Sequence, residues 1–467
     1  MSSLGMVAVL LAAQASRLAA YQCLNATNNQ DTEYSVTLHV GSEGFAMHVT
    51  PDTGSYQLVL ASKQCVSCEG HCMGCPEHRL FNESSSTTYH DWNETVISAY
   101  GQGQVICAAG SDFVRLGVAQ SQERQAMQLI KKNDLQGFSQ DSSYDGIMGL
   151  GVTDLVPVTN QVASPSVLKN LNISTFGICF SLVSGEGGRL DLGSGVPGLA
   201  YHDVPGVGVG YWMIGLRSFL VGDALVACHA WPYCNAIIDS GTTLIGLPKT
   251  ILNHVVKHIG NINPDCSNVD QLPTISMLVN DGHILTLPPS AYIAQLNDLT
   301  VTQPVHVGPF VANLPEGTES ACTHLFFESN INDPQTHAPV LLIGMPIFRR
   351  YAIRFSRGKG SSNQTVAPGH SIGFSPLAYD SPICSSCAAT GEDGSAASFT
   401  RLDAVKGQAP SSLQPETLVS APVSSAELGR AQSSAKARVS SYSARMLRLP
   451  RWLSTLRRDD SSGDYIL

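Results

Sequence analysis

The chain has 467 residues, of which 43% are hydrophobic and 14% charged, and its 27 basic and 37 acidic residues give a net charge of −10. This length predicts two or three folding units with a large core, and the apolar fraction excludes wholesale disorder. No apolar run in the sequence approaches the roughly 18 residues of a membrane-spanning helix, and the acidic balance argues against binding to nucleic acid.

Residues 1–20 are predicted to be a signal peptide. The apolar run Leu4–Ala13 precedes small residues that suit a cleavage site, although Met1–Ser3 carries no Lys or Arg. The alternative, a buried N-terminal helix, is disfavoured by Gly5 and by the polar shift at Tyr21. Thirteen cysteines and five Asn-x-Ser/Thr sequons indicate an oxidising secretory route. The candidate glycosylation sites are Asn25, Asn82, Asn93, Asn172 and Asn363.

Residues 33–375 have the pattern of strands and turns. Short runs such as Tyr34–Val40 alternate in polarity and end at Gly, Pro, Asn or Asp. One short helix is predicted over Ile251–Ile259, after Pro248. Beyond Ser381 the composition shifts to Ser, Ala, Gly and Pro, which predicts a disordered low-complexity tail. We therefore expect a signal peptide over 1–20, an N-terminal β lobe over 21–205, a C-terminal β lobe over 206–380 and a tail over 381–467.

An internal repeat is the most informative pattern in the chain. Each copy is an Asp-Thr/Ser-Gly motif after an apolar strand, followed roughly one hundred residues later by two apolar residues and a glycine. The copies are Asp52-Thr53-Gly54-Ser55 with Ile147-Met148-Gly149, and Asp239-Ser240-Gly241-Thr242 with Leu342-Ile343-Gly344. One such motif is weak evidence, but two with matched spacing predict two similar lobes, each presenting an aspartate at a sharp turn.

Two aspartates presented at facing turns are suited to sharing one proton. The glycine of each motif lets another chain approach closely, and the neighbouring Thr or Ser offers a hydroxyl that can join the loops. Two adjacent carboxyl groups do not both ionise, so one is an acid while the other is a base. The base activates a water that attacks a peptide carbonyl, and the acid protonates the carbonyl oxygen. The pattern predicts that Asp52 and Asp239 hydrolyse peptide bonds at acidic pH.

Further motifs extend the pattern and give the chain a resemblance to the pepsin-like aspartic proteases over about residues 33–376. They are Ile97–Gly103, Tyr144–Gly151, Tyr211-Trp212 ahead of Cys228 and Cys234, Cys266–Ser276, and Leu342–Tyr351. The resemblance implies an all-β bilobal fold in which an extended substrate lies across a cleft beneath a flap hairpin. It implies an aspartic-type endopeptidase, a hydrolase that uses no cofactor and no metal.

The resemblance also implies roles for individual residues. Tyr100 would close the flap over bound peptide, Ile147 would line the pocket before the scissile bond, and Ser55 and Thr242 would hydrogen-bond the neighbouring carboxylates. The residues expected to support the dyad are Thr53, Gly54, Ser55, Ser240, Gly241 and Thr242. Those expected to bind substrate are Tyr100, Gly101, Gly103, Ile147 and Thr243.

Three departures from the family pattern affect the expected efficiency but leave both aspartates in place. Pro51 precedes Asp52 and removes a backbone N–H from the strand. Val59 stands where many members have a tryptophan that hydrogen-bonds the flap tyrosine, so the flap is expected to be looser. Met345 replaces a usual aspartate. No long basic segment precedes the first strand, so latency through a prosegment is not expected.

The cysteines of the cluster Cys65, Cys68, Cys72 and Cys75 are expected to pair among themselves. Zinc binding is the alternative, but the short spacing and an oxidising compartment favour a disulfide-pinned loop, which resembles insertions in some plant and protist members. The family resemblance implies the pairs Cys228–Cys234 and Cys266–Cys322. The remaining cysteines cannot be connected from sequence, and the odd total leaves one thiol over.

The expected partners are polypeptide substrates, and the chain is expected to be a monomer. Near the C terminus, Arg445–Arg458 mixes basic and bulky apolar residues, so it is a candidate for weak contact with an anionic membrane surface; a solvated disordered tail is the alternative. The expected location is the secretory pathway, ending outside the cell or in an acidic vacuole-like or lysosome-like compartment.

Two other functions compete with proteolysis. A pepsin-like binding or inhibitor protein should show a damaged dyad or flap, whereas both aspartates, both glycines and Tyr100 are present. A glycosylated adhesin would explain the sequons and cysteines but would give the paired aspartate motifs no purpose. Proteolysis is therefore the preferred prediction, with the binding or inhibitor protein as its alternative.

Overall fold

The structure of the protein, a computed structural model, describes residues 21–65, 74–75, 78–100, 103–135, 138, 144–159, 162–208, 210–230, 233–296, 305–307, 310–312, 321–333, 336–358, 369–378, 381–390 and 447–449. Strands dominate these residues and helices are few and short, so the chain has the predicted all-β fold with two lobes. The predicted signal peptide, Asn363 and most of the predicted tail lie outside the described residues.

The largest sheet begins at the base of the molecule and continues into the N-terminal lobe. Its base strands, in spatial order, are His202–Pro205, Ser371–Pro376, Tyr351–Ser356, Thr175–Phe180, Gly188–Leu192 and Gln22–Asn29. It continues through Glu33–Val40, Phe45–Asp52, Gly146–Gly149, Leu58–Ala61, Gln125–Asn133, Gly103–Asp112 and His90–Tyr100, with Val114–Leu116 and Ala119–Gln120 on its side. Since strands after residue 350 pair beside Thr175–Phe180, the base joins the two halves of the chain.

A second sheet forms the C-terminal lobe. Its strands, in spatial order, are Ile284–Leu287, Ile275–Val279, Met213–Val221, Cys234–Ile238, Pro339–Ile343, Ile245–Leu247 and Phe326–Glu328, with Ala224–Ala227 and Ile331–Asn332 attached. Smaller sheets pair Leu155–Pro157 with Ala163–Pro165, Val305–Val307 with Phe310–Ala312, and Ile293–Leu296 with both Ala321–His324 and Leu447–Leu449. The last strand lies within the predicted tail, so the prediction of disorder does not hold for those three residues.

The helices lie between strands. They are Val167–Asn170, Lys249–Ile259, Pro289–Tyr292 and Met345–Arg350, with 3₁₀ turns at Glu83–Ser85, Val269–Gln271, Pro382–Cys384 and Cys387–Thr390. The predicted helix over 251–259 begins two residues earlier, directly after Pro248. Its apolar face, made by Ile251, Leu252, Val255 and Ile259, is buried against the core because these residues recur at helical spacing.

The sequence repeat corresponds to a structural repeat. Phe45–Asp52 runs parallel to Gly146–Gly149, with Asp52 opposite Gly149. Cys234–Ile238 runs parallel to Pro339–Ile343, and the N–H of Asp239 donates to the carbonyl of Ile343 at 3.0 Å. Each aspartate is therefore at the end of a strand, beside the strand that carries the apolar-apolar-Gly partner.

The structure forms both disulfides implied by the family resemblance, Cys228–Cys234 and Cys266–Cys322. Within the cysteine cluster Cys65 pairs with Cys75, whereas Cys68 and Cys72 lie outside the described residues. The pairs Cys23–Cys387 and Cys179–Cys384 were beyond sequence reasoning, and Cys107 is a buried free thiol. Since Cys65 and Cys75 are oxidised, they do not supply thiolates to a zinc site.

The two unpredicted disulfides hold residues 381–390 against the base sheet, in an arrangement that we call the terminal clasp. The N–H of Cys387 donates to Oδ1 of Asn25 at 2.7 Å, and Arg189 donates to the carbonyl of Ile383 at 3.2 Å. The prediction that the tail starts at residue 381 is therefore wrong. It failed because composition alone does not reveal that Cys384 and Cys387 have partners.

Candidate active site

Asp52 and Asp239 are both buried where the two lobes meet. Each carboxylate accepts two hydrogen bonds from its own loop. Asp52 accepts from the N–H of Gly54 at 2.9 Å and the hydroxyl of Ser55 at 2.5 Å. Asp239 accepts from the N–H of Gly241 at 2.8 Å and the hydroxyl of Thr242 at 2.5 Å. The two loops thus orient their carboxylates in the same way.

The loops are joined to each other by a reciprocal set of hydrogen bonds. The N–H of Thr53 donates to Oγ of Ser240 at 3.1 Å, and the N–H of Ser240 donates to Oγ1 of Thr53 at 2.9 Å. The hydroxyl of Thr53 donates to the carbonyl of Ile238 at 2.7 Å, and that of Ser240 to the carbonyl of Pro51 at 2.6 Å. All of these groups are buried, so water does not compete for them.

The glycine of each loop faces the carboxylate of the other lobe. A Cβ placed on Gly54 would lie 2.6 Å from Cγ of Asp239, and one placed on Gly241 would lie 2.3 Å from Oδ1 of Asp52. Carbon atoms do not approach that closely without displacement. Only glycine at both positions therefore allows the two carboxylates to stand beside the opposite loop.

Burial and the neighbouring charge change the acidity of the pair. Burial, followed by the negative charge of Asp239, raises the pKa of Asp52 well above its ordinary value of 3.8. Hydrogen bonds from Ser55 and Gly54 act in the opposite direction but are weaker. Because two adjacent carboxylates repel, the pair retains a proton over a pH range in which an isolated aspartate is ionised.

Tyr100 ends the first strand of the predicted flap hairpin. That strand, His90–Tyr100, pairs with Gly103–Asp112, and Tyr100 is opposite Gly103. Tyr100 packs against a cluster that includes Val59 and Ile147. Its hydroxyl is buried and, among the described residues, has no hydrogen-bond partner. This fits the replacement of the expected tryptophan by Val59. Gly101 lies outside the described residues.

The other predicted substrate-binding residues lie in different surroundings. Ile147 is paired with Thr50 and Val59 and packs beside Tyr100. Gly103 has φ +136°, and a Cβ there would lie within 2.0 Å of the carbonyl of Asp134. The buried hydroxyl of Thr243 donates to the carbonyl of Thr32 at 2.7 Å, so it bridges the two halves of the chain.

Pro51 and Met345, the other two departures, are both accommodated. Pro51 stands opposite Met148 in the parallel strand pair, and its carbonyl accepts the Ser240 hydroxyl. Met345 is buried and its N–H donates to the carbonyl of Thr242 at 2.8 Å. Among the glycosylation candidates, Asn25, Asn93 and Asn172 are exposed and Asn82 is half-buried.

Sequence reasoning gave no role to four residues that lie close to the dyad. The side chains of Glu33 and Tyr144 are hydrogen-bonded, as are those of Tyr56 and Tyr211. The charge of Asp52 acts on Tyr144, Tyr56 and Tyr211, which indicates that these phenols are nearby. Their positions beside the aspartate and apolar-apolar-Gly motifs were the only available signal.

Comparison with known proteins follows the same boundaries. The model of the eukaryotic aspartyl protease family matches residues 33–308. Pepsin A from Gallus gallus is 30% identical over 280 residues, covering 57% of this chain and 72% of that protein. Pepsin-2B from Gadus morhua is 26% identical over 366 residues, covering 75% and 98%. Renin from Echis ocellatus is 26% identical over 349 residues, covering 71% and 79%.

Proposed function

Since the chain belongs to the eukaryotic aspartyl protease family, we propose that it is an active aspartic endopeptidase that cleaves extended polypeptides at acidic pH. The observation that carries the proposal is the reciprocal bonding of Thr53 and Ser240, which holds Asp52 and Asp239 beside each other. A protein that had lost catalysis would be under no constraint to keep both glycines beside the opposite carboxylates.

In the proposed reaction the dyad shares one proton and binds a water molecule. The ionised carboxylate takes a proton from the water, whose oxygen attacks the carbonyl carbon of the scissile peptide. The protonated carboxyl donates its proton to the carbonyl oxygen, and the resulting tetrahedral adduct collapses with protonation of the leaving nitrogen. The raised pKa of Asp52 makes it the proposed acid and Asp239 the proposed base.

Tyr100 is proposed to cover the bound peptide as part of the flap, and Ile147 to contact the residue before the scissile bond. Thr53, Gly54, Ser55, Ser240, Gly241 and Thr242 are proposed to position the carboxylates. The lobes are proposed to span residues 21–205 and 206–380, apart from the base strands Tyr351–Ser356 and Ser371–Pro376, which pair within the large sheet.

We propose that the protein is a monomer that follows the secretory route to an acidic compartment. The disulfides support this route, since they persist in oxidising compartments. Among the described residues, no helix has the length and apolar character needed to span a bilayer. The signal peptide, the sugars and a weak membrane contact of Arg445–Arg458 remain predictions.

The test is cleavage of a denatured protein by the purified chain from pH 3 to 7, with and without a statin-type inhibitor. Activity should be greatest in acid, be blocked by the inhibitor, and be lost in Asp52→Asn and Asp239→Asn. Circular dichroism of both variants shows whether they keep the fold. A folded wild-type chain that binds the inhibitor but cuts nothing would support the alternative of a catalytically weak binding protein.

A further inference from the structure

An aromatic pair joins the two lobes beside the dyad. The rings of Tyr56, from the N-terminal half, and Tyr211, from the C-terminal half, have centroids 5.2 Å apart at 46°. Their hydroxyls are hydrogen-bonded to each other. We propose that this pair, which we call the tyrosine bridge, forms a substrate-binding wall that selects an aromatic or large apolar side chain immediately after the scissile bond. The proposal rests on the proposed proteolytic function and deepens it.

The position of Tyr56 is fixed by glycines. A Cβ on Gly151 would lie 2.2 Å from Cδ1 of Tyr56, and a Cβ on Gly210 would lie 3.1 Å from its hydroxyl. At Gly149 an added Cβ would lie 2.3 Å from the backbone carbonyl carbon of Tyr56. Glycines from both halves of the chain therefore leave the space that the ring occupies. Such a fitted ring presents the same surface to every substrate.

The tyrosine bridge is separate from the wall that contains Ile147. Tyr56 packs against Ala126, Val156 and Val158, and Tyr211 packs against a cluster that includes Met213 and Ile237. Tyr100, Tyr144 and Ile147 pack together in a third cluster. The dyad thus has one apolar wall on the flap side and a second one where the lobes join.

The bridge is also close enough to the dyad to contact a residue next to the scissile bond. Tyr56 directly follows Ser55, whose hydroxyl binds Asp52. Burial first, and then the charges of Asp239 and Asp52, raise the pKa of Tyr211. Both phenols consequently stay neutral throughout the acidic range, and their hydrogen bond does not depend on pH there.

The geometry of an extended substrate assigns the two walls to different side chains. Successive side chains of an extended chain point to opposite faces. If the Ile147 wall receives the residue before the scissile bond, the residue after it faces the other wall, which is the tyrosine bridge. Stacking or edge-to-face contact with two rings favours an aromatic or large apolar group at that position.

The test uses two peptide pairs, each differing at one position. In the first pair, Phe or Ala follows the scissile bond; in the second, Phe or Ala precedes it. For the wild-type protein, kcat/KM should favour Phe after the bond by about tenfold or more. In Tyr56→Ser this preference should fall at least fivefold, while the preference before the bond stays the same. Ile147→Ala should show the reverse pattern.

Binding measurements separate this proposal from the proposed catalysis. Calorimetry with statin-type peptides carrying Phe or Ala after the statine unit gives the same ratio without turnover. A wild-type chain that binds with this preference but cuts nothing retains the proposal and refutes catalysis. Equal binding of both peptides by wild type, or an unchanged ratio in Tyr56→Ser, overturns the tyrosine bridge.

A milder pair of variants covers the case in which Tyr56→Ser fails to fold. Tyr56→Phe keeps the ring but removes the hydroxyl bond to Tyr211, so its Phe preference should fall by about twofold to threefold. Tyr201→Phe is the matched control, because the Tyr201 hydroxyl accepts the N–H of Val196 at 2.8 Å next to the base sheet. A fall of equal size in both variants, or in neither, contradicts the proposal.

Discussion

Thr53 and Ser240 are reciprocal hydrogen-bond partners, since the backbone N–H of each donates to the side-chain oxygen of the other. This exchange links the two lobes at the residues that directly follow Asp52 and Asp239. A shift of one loop must therefore stretch the bonds of the other. The positions of the two carboxylates are coupled through the protein as well as through their charges.

Removing either hydroxyl should loosen the dyad. In Thr53→Ala or Ser240→Ala a buried N–H loses its acceptor, which should lower the free energy of unfolding by about 1–3 kcal/mol. The misplaced carboxylate should reduce kcat by about 10- to 100-fold. Urea unfolding and peptide kinetics measure the two effects.

The conservative change Thr53→Ser keeps the hydroxyl and should lose much less of both quantities. The double variant should show a coupling energy of about 0.5–3 kcal/mol, because the two side chains share one network. Strict additivity, or alanine variants with the kcat of the wild type, would contradict the coupling.

Substituting the loop glycines tests the close approach of the lobes. Gly54→Ala and Gly241→Ala each place a carbon against the opposite carboxylate, so kcat should fall by about 100-fold or more. Gly44→Ala is the control: it has φ +60° with no atom within 4 Å of the added Cβ, so it should cost only about 1 kcal/mol of stability and leave kcat unchanged. Peptide kinetics with thermal unfolding separates the two cases.

The parts of the structure that sequence predicts well are those encoded locally and twice. Asp52 and Asp239 each sit in a short motif whose glycine and hydroxyl residue are adjacent in the chain, so the turn is legible without tertiary information. The parallel partners around Gly149 and Ile343 were legible because the spacing repeats. Such redundancy is what allowed the lobes to be inferred.

Contacts between distant residues could not be predicted in this way. Nothing near Tyr56 in the sequence indicates that it meets Tyr211, because the contact depends on how the lobes are placed. The same is true of Cys23 and Cys387, for which the sequence permits many pairings. The composition of residues 381–390 indicated a tail, but two covalent bonds override that local preference.

Glu33 should make the protein less stable as the pH rises. Burial raises the pKa of Glu33 from its ordinary value of 4.5 to about 8, although bonds from Asn29 and Tyr144 oppose the rise. Between these values the unfolded chain releases this proton while the folded chain keeps it. The stability present in acid is therefore lost as the pH rises, by about 1.4 kcal/mol per pH unit within that window.

Glu33→Gln removes this titration. The difference in free energy of unfolding between Glu33→Gln and wild type should grow in favour of the variant from pH 5 to pH 7, as measured by urea unfolding. Asp52, whose pKa is also raised, contributes the same trend to both proteins and cancels in the comparison. A difference that is independent of pH would show that Glu33 is ionised in the folded state.

The flap tyrosine should tolerate loss of its hydroxyl. Because the buried hydroxyl of Tyr100 has no partner among the described residues, Tyr100→Phe should leave the free energy of unfolding unchanged or raise it by about 1 kcal/mol. Tyr292→Phe is the matched control, since its hydroxyl donates to the carbonyl of Pro273 at 2.5 Å and its removal should cost about 1–3 kcal/mol. Equal losses in the two variants would place an unseen partner beside Tyr100.

The terminal clasp should contribute more stability than the short disulfide of the cysteine cluster. Cys23 and Cys387 are 364 residues apart, whereas Cys65 and Cys75 are 10 apart. Because loop-closure entropy grows with loop length, Cys23→Ala/Cys387→Ala should cost about 2 kcal/mol more than Cys65→Ala/Cys75→Ala, even with Cys179–Cys384 intact.

Thermal unfolding under oxidising conditions measures this difference between the two double variants. Loss of the clasp should also expose residues 381–390 to limited proteolysis, since Asn25 and Arg189 then hold that segment by single hydrogen bonds. The Cys65→Ala/Cys75→Ala protein should keep the segment protected. If both double variants lose the same stability and release the segment equally, the base sheet is held together without the clasp, and the ends of the chain are bound by packing alone.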